Sequence, residues 1–202
     1  VILGGHEDLT AGRLIIIPYP YWQETRTRTK TGEPIFLRPV RPSDAGQMID
    51  LFDQLSPETI YLRFFSPIKE ISRPMLIRLT QIDYDREIAL IGFSGKPGSL
   101  KIVGVARIIF MPGTREAEFA IVLSDKWQGK GIGIKLLHHA LVCTKKYDID
   151  TVWGPVITTN KGMLRMGQKL GFNIKRDLDS GEYKLTISLD TVDPLQFSAS
   201  GN

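Results

Sequence analysis

The residues most able to do chemistry stand together at Gln128-Gly129-Lys130-Gly131-Ile132-Gly133, between a predicted strand and a predicted helix. Glycines let a backbone approach a ligand closely, and the first turn of a helix offers unpaired amide hydrogens at the positive end of its dipole. The chemistry expected is the binding of an anion such as a phosphate or pyrophosphate. Two common phosphate motifs are excluded. The dinucleotide fingerprint needs a third glycine where Ile134 stands, and a P-loop needs Lys followed by Ser or Thr after its last glycine. Taken alone, the run reads equally well as a helix that starts after a flexible turn. Other reactive groups are sparse. His139 and Cys143 lie four apart on one predicted helix, but two ligands are too few for a metal site, so Cys143 reads as a core or boundary residue and no metal is expected. His138 and His139 read as surface or boundary residues, and Trp127 as a packing anchor. Glu87, Glu116 and Glu118 are lone carboxylates on predicted strands, where a surface role is the ordinary one.

Periodicity supplies the elements that position these groups. A strand is expected over Ile35 to Val40, then a helix from Asp44 to Leu55 capped by Ser43, with Met48, Leu51, Phe52 and Leu55 on one face. Ser56 and Pro57 start a short helix carrying Ile60, Tyr61, Phe64 and Phe65, and another spans about Arg73 to Gln81. From Glu87 the period changes to that of strands: Glu87 to Phe93, Lys101 to Phe110 and Ala117 to Leu123 form an antiparallel meander. A helix follows the glycine turn to about Tyr147, with Leu136, Leu137, Ala140 and Leu141 inward. Thr151 to Ile157 reads as a strand, Lys161 to Leu170 as a helix, and Phe172 to Arg176 with Tyr183 to Leu189 as a closing hairpin. Residues 1–34 read as an appendage or linker, with Leu14 to Ile17 as a buried strand, and residues 193–202 as a frayed tail.

Composition narrows the class. A formal net charge of +4 from 26 basic and 22 acidic residues is too small and too dispersed to mark a nucleic-acid surface. The densest cluster, Arg26, Arg28 and Lys30 among threonines, reads as a solvated alternating strand or linker. One cysteine cannot make an internal disulfide, and no apolar run approaches the roughly 20 residues of a membrane helix, which suits a cytoplasmic setting with no membrane partner. Because the chain opens on Val1, a piece of a longer gene product or a cleaved tag is expected.

The Gln-x-x-Gly-x-Gly run after a strand resembles the coenzyme A pyrophosphate loop of the GNAT acetyltransferases, and the likeness extends over about residues 35–189. Tyr61-Leu62-Arg63-Phe64-Phe65, Asp83-Tyr84-Asp85-Arg86-Glu87, Ala117-Glu118-Phe119-Ala120 and Asn160-Lys161-Gly162-Met163 resemble the GNAT domain of bacterial Pat-type protein lysine acetyltransferases. The resemblance implies an α/β fold of the α+β type, with a mostly antiparallel central sheet flanked by helices and split between its fourth and fifth strands. It places the acetyltransferase domain at residues 35–192. In the Pat-type group this domain is commonly fused to an ADP-forming acyl-CoA synthetase-like region, whose end Ile15 to Pro20 resembles.

Acetyl-CoA is the cofactor so implied, lying in the split between Ala117 to Leu123 and Thr151 to Ile157. Ile121, Val122 and Leu123 would pair with pantetheine, Gln128, Gly129, Lys130, Gly131, Ile132 and Gly133 would hold the pyrophosphate with help from Lys135, and Asn160 would make a polar contact or cap its helix. The acceptor implied is a protein lysine, with an acyl-CoA synthetase as the partner suggested by the Pat-type group. A lysine ammonium, with an ordinary pKa of about 10.4, is free amine in only about one molecule per thousand near neutral pH, so a base is required. Glu118 matches the position of the family's catalytic glutamate, with Glu116 and Glu87 as neighbours. The tyrosine that many family members use as general acid is replaced by Gly167, four residues before Gly171-Phe172. A catalytically weak acyl-CoA-binding regulatory module and a small-molecule amine acetyltransferase stay open as alternative readings.

Overall fold

Eight strands form one sheet in the computed structural model, which describes residues 18–96 and 98–197. In chain order the elements are β1 (Thr25–Arg28), β2 (Pro34–Pro39), α1 (Ala45–Phe52), α2 (Pro57–Phe64), α3 (Arg73–Thr80), β3 (Glu87–Ser94), β4 (Lys101–Phe110), β5 (Glu116–Leu123), α4 (Ile132–Thr144), β6 (Thr151–Val156), α5 (Lys161–Leu170), β7 (Asn173–Arg176) and β8 (Tyr183–Ser188). The sheet order is β1-β2-β3-β4-β5-β6-β8-β7, and every pairing is antiparallel except β5 with β6. β3 is apolar at nearly every position because both its faces are covered. Ile88 and Leu90 join Leu136, Leu137 and Leu141 of α4 on one side; Ala89, Ile91 and Phe93 meet Met48, Leu51 and Phe52 of α1 on the other.

Local chemistry sets several ends as expected. Ser56 Oγ accepts from Thr59 N at the start of α2, with Pro57 at the first helical position. Gly171, at φ +85°, stops α5 in a left-handed conformation that disfavours any residue with a Cβ. Elsewhere longer-range contacts override the sequence signals. Ser43 does not cap α1: Pro42–Asp44 forms a single 3-10 turn, and buried Asp44 accepts from Arg38 at 2.8 and 2.6 Å and from Arg41 N at 2.7 Å. α1 closes at Phe52 rather than Leu55, and α4 at Thr144 rather than Tyr147.

Residues 25–28, read from the sequence as the end of an appendage, pair with β2 as the sheet's edge strand, so the strands expected to be fourth and fifth are β5 and β6. At the other terminus, Asp193 O accepts from His138 Nε2 at 2.7 Å and the Phe197 ring packs edge-on to His138 at 5.0 Å, so this part of the tail docks instead of fraying. Leu14 to Ile17, and with them half of the synthetase-like stretch, lie outside the described residues.

The parallel pair decides the architecture. β5 and β6 share the register Glu116↔Thr151, Ala117↔Val152 and Glu118↔Trp153, and then diverge. Three residues mark the point of divergence. The Phe119 ring lies where a side chain on Gly154 would be, its Cε1 2.8 Å from an ideal Cβ there, and it packs at 5.1 Å against Phe172. Pro155 brings no N–H to the ladder. The bond from Leu189 N to Asp150 O sets the phase of the β6–β8 ladder so that residues 151, 153 and 155 turn their backbone groups toward β5. The missing donor therefore falls on the open edge.

Gly154→Ala should force the Phe119 ring out of place and cost about 1–3 kcal/mol, as overpacking usually does. Thermal unfolding should show a Tm lower by several degrees, at about 2–4 °C per kcal/mol for a chain of this size. An unchanged Tm would show that the ring is not tightly packed over Gly154.

Candidate active site

Past Glu118 the freed edge of β5 lines a cleft of about 280 Å³ whose other walls are the end of α2, Pro155 and Val156 of β6, and Asn160 with Met163 at the start of α5. Two bonds at opposite ends of the β4–β5 ladder, Met111 N to Glu116 O and Ser124 N to Val103 O, agree on its phase. By the alternation of an antiparallel pair, Val122 turns its N–H and C=O to β4, whereas Ile121 and Leu123 turn theirs to the cleft. This corrects one expected contact: of Ile121, Val122 and Leu123, the middle residue offers the cleft no backbone partner. Its side chain packs instead against the core under α1. Ile121 turns both its peptide groups, and Leu123 its N–H, to an edge that an extended amide chain can join as an added strand.

The glycine run closes one end of this edge. Gly129 at φ +76° and Gly131 at φ +82° both adopt left-handed backbone, so glycine is demanded by conformation at these two positions. Gly131 is the residue before α4, and no side chain caps that helix end. The first amides of α4 are thus left for an anion. Gln128 has another duty: its Nε2 donates to Thr59 Oγ1 at 3.1 Å and to Leu123 O at 3.3 Å, binding the loop to α2 and β5. The Lys130 ammonium sits 4.2 Å over the Trp127 ring and 3.5 Å from Glu33, while Lys135 Nζ donates to Arg28 O at 2.9 Å. Asn160 Oδ1 accepts from Met163 N at 3.0 Å, so it caps α5 while also lining the cleft.

Glu118 stands at the last paired residue before the split, on the cleft wall, facing Arg63 of α2. Half-buried Arg63 has its pKa lowered to about 10, first by burial and then by the like charge of Arg107, with Glu118 acting in the opposite direction. The other carboxylates named from the sequence are excluded by their surroundings. Glu87, 5% exposed, is fixed between Arg107 at 2.6 Å and Arg78 at 2.7 Å. Glu116 is exposed and does not line the cleft. At Gly167 an added Cβ would lie 2.5 Å from buried Leu185 Cδ2, so the helix packs too closely on β8 for a tyrosine.

His138 is buried rather than peripheral, and burial lowers its pKa. Cys143 is buried beside His139, Sγ to Nε2 3.7 Å, with its thiol pushed up to about 12 by burial, which leaves it unreactive. Among the described residues no group of three or more His, Cys, Asp or Glu is placed to hold a metal ion, and no helix is long and apolar enough to cross a membrane.

Two features of the site go beyond the roles expected from sequence. Phe65, which lines the cleft, has φ +57° and is the one non-glycine residue with positive φ among those described. Its signal is an aromatic residue where a helix end ordinarily favours glycine. Asp125 accepts from Ser56 N at 2.9 Å, Ser56 Oγ at 2.8 Å and Thr59 Oγ1 at 2.7 Å, joining the cap of α2 to the strand-to-loop corner. Nothing local in the sequence connects positions so far apart.

The candidate site is thus a strand-edge cleft beside a glycine-lined helix start, with one carboxylate at the point of divergence. The acetyltransferase (GNAT) domain family model matches residues 35–173, and the chain belongs to that family as an N-acetyltransferase. It is similar to the acetyltransferase PA5475 of Pseudomonas aeruginosa, 28% identical over 148 residues that cover 73% of this chain and 80% of the relative. Against the acetyltransferase Pat of Mycolicibacterium smegmatis it is 28% identical over 176 residues, 84% of this chain but only 50% of that protein. The crystal structure of the GNAT domain of S. lividans PAT superposes with a TM-score of 0.79 at 24% identity, covering 85% of this chain and 99% of that one.

Asp125→Ala should remove three hydrogen bonds from an exposed corner and cost about 1 kcal/mol, read as a Tm drop of roughly 2–4 °C at neutral pH. Burial opposes the Asp125 charge, but the bonds from Thr59 and Ser56 outweigh it and hold the carboxyl below its ordinary 3.8. The wild type's advantage is therefore complete above that value and should disappear as pH falls through the depressed folded value. A Tm difference that persists unchanged below pH 3.8 would show that the charge is not what holds the corner.

Proposed function

We propose that this chain moves an acetyl group from acetyl-CoA to the ε-amino group of a protein lysine, with Glu118 as general base. The observation that carries the reading is the position of Glu118: the last residue of β5 paired with β6, on the wall of the same cleft that the open edge at Ile121 lines. Acetyl-CoA, when bound, supplies the acetyl group as an activated thioester. Ile121 and Leu123 would pair with the pantetheine amides, and the amides around Gly131, Ile132 and Gly133 would receive the pyrophosphate. These contacts leave the reacting end beside Glu118.

Glu118 would take the proton of the incoming ammonium, directly or through one water, so that the free amine is formed inside the cleft. Arg63 contributes a positive charge that disfavours a second ammonium there. Glu118 is the one carboxylate lining the cleft among the described residues. That balance suits an acceptor presenting a single amine, as a lysine side chain does, better than a polyamine. With Gly167 packed against Leu185, no tyrosine protonates the leaving group from that helix. A thiolate whose conjugate acid has a pKa near 8.5 leaves without such help. An acyl-CoA synthetase as acceptor and a cytoplasmic location complete the proposal, resting on the Pat-type likeness.

Glu118→Gln should lower turnover by about two to four orders of magnitude while acetyl-CoA affinity changes little, and the deficit should shrink as pH rises toward about 10.4. Steady-state rates across pH with a lysine peptide, beside calorimetric binding, check both parts. Near-wild-type turnover at neutral pH with chemistry rate-limiting would exclude Glu118. Faster acetylation of spermidine than of any protein in a cell lysate would exclude the protein acceptor.

A further inference from the structure

The Thr25-Arg26-Thr27-Arg28-Thr29-Lys30 run is a strand that leads into a hairpin, with Thr27 and Thr29 buried and Arg26, Arg28 and Lys30 exposed. The turn to β2 is tightly tied. Thr29 N donates to Glu33 O at 2.9 Å, Glu33 N to Thr29 Oγ1 at 3.0 Å, and Arg28 Nη1 to Gly32 O at 2.8 Å. This turn lies against the glycine run. Lys30 N donates to Lys130 O at 3.0 Å, and the Lys30 stem crosses Gly131, with Cγ 3.0 Å and Cε 3.2 Å from where a Cβ would stand.

The three lysines here differ in what holds them. Lys130 is engaged by Glu33 and Trp127, and Lys135 by Arg28 O. No hydrogen bond or ion pair holds the Lys30 ammonium among the described residues. The Lys30 ammonium thus stands without a partner among these residues beside the residue that opens α4, whose first amides attract anionic charge.

We infer that the β1–β2 hairpin is part of the cofactor site, Lys30 binding a phosphate at the nucleotide end of coenzyme A. This rests on the acetyl-CoA reading above. Two groups share the chemistry, the pyrophosphate and the ribose 3′-phosphate, and Lys30 reaches one of them as a point charge. The hairpin thereby makes part of the sheet's first edge strand a clasp on the loop that precedes α4.

Calorimetric titration of the full chain with coenzyme A, 3′-dephospho-coenzyme A and pantetheine, in the wild type, Lys30→Ala and Lys30→Arg, tests the inference. Lys30→Ala should weaken coenzyme A by about five- to thirtyfold, an effect that shrinks as salt screens the pair, while Lys30→Arg keeps most of the affinity and pantetheine is unaffected. If the target is the 3′-phosphate, Lys30→Ala leaves 3′-dephospho-coenzyme A unchanged; if it is the pyrophosphate, that ligand is weakened as much as coenzyme A. Unchanged coenzyme A affinity in Lys30→Ala, or an equal loss with pantetheine, overturns the inference. Wild-type protein that binds none of the three ligands would instead overturn the acetyl-CoA reading itself.

Discussion

The parting of β5 and β6 is the constraint on which the rest of the molecule depends. A sheet gains from every ladder bond it can close, so a cleft inside one persists only where closure is blocked. Here Pro155 has no hydrogen to donate on the edge that faces β5, and the Phe119 ring lies over Gly154 where the two strands part. The first three pairs of the parallel ladder keep the strands together at Glu116, Ala117 and Glu118. Glu118 therefore sits at the apex, fixed by ladder bonds behind it and facing open space ahead. A carboxylate carried on a loop would lack that precision.

Around this apex, each wall of the cleft is tied to another. Asp125 and Gln128 connect the α2 cap to the loop before α4, and the β1–β2 hairpin lies on the same loop from the opposite side. Buried Arg107 links the last carbonyls of α3, at 2.9 Å from Leu79 O, to Glu87 of β3. The three short helices over one face are consequently held by polar contacts at their ends as well as by apolar packing. Arg63 carries its charge into the cleft from α2, so the wall opposite β5 is electrostatically active as well as apolar.

Much of this is legible in the sequence where the cause is local. α5 runs from Lys161 to Leu170 as expected, because its cap at Asn160 and its stop at Gly171 are both side-chain and backbone properties of those residues. The glycine loop is legible for the same reason, since positive φ at Gly129 and Gly131 requires glycine. What the sequence hides is long-range. β1 buries threonines rather than large apolar groups, so its solvated basic alternation is legible as a strand or linker but its place at the edge of the sheet is not. Ser43 is a good cap in isolation, yet Arg38 claims Asp44 and reshapes the start of α1. Glu87 and Glu118 look alike as lone strand carboxylates until Arg107 and Arg78 take the former. Which of Ile121, Val122 and Leu123 faces the cleft depends on ladder phase, a property of the pairing that no single residue carries.

Amide hydrogen exchange with and without saturating acetyl-CoA tests the central claim most directly, that the freed edge of β5 and the start of α4 form one continuous cofactor site. The account predicts slowed exchange concentrated at Ile121 and Leu123 and at the amides from Gly131 to Gly133, with Val122 unchanged because β4 already protects it. Saturated binding with no slowing at Ile121 and Leu123, or slowing confined to the helices over the opposite face of the sheet, would contradict it.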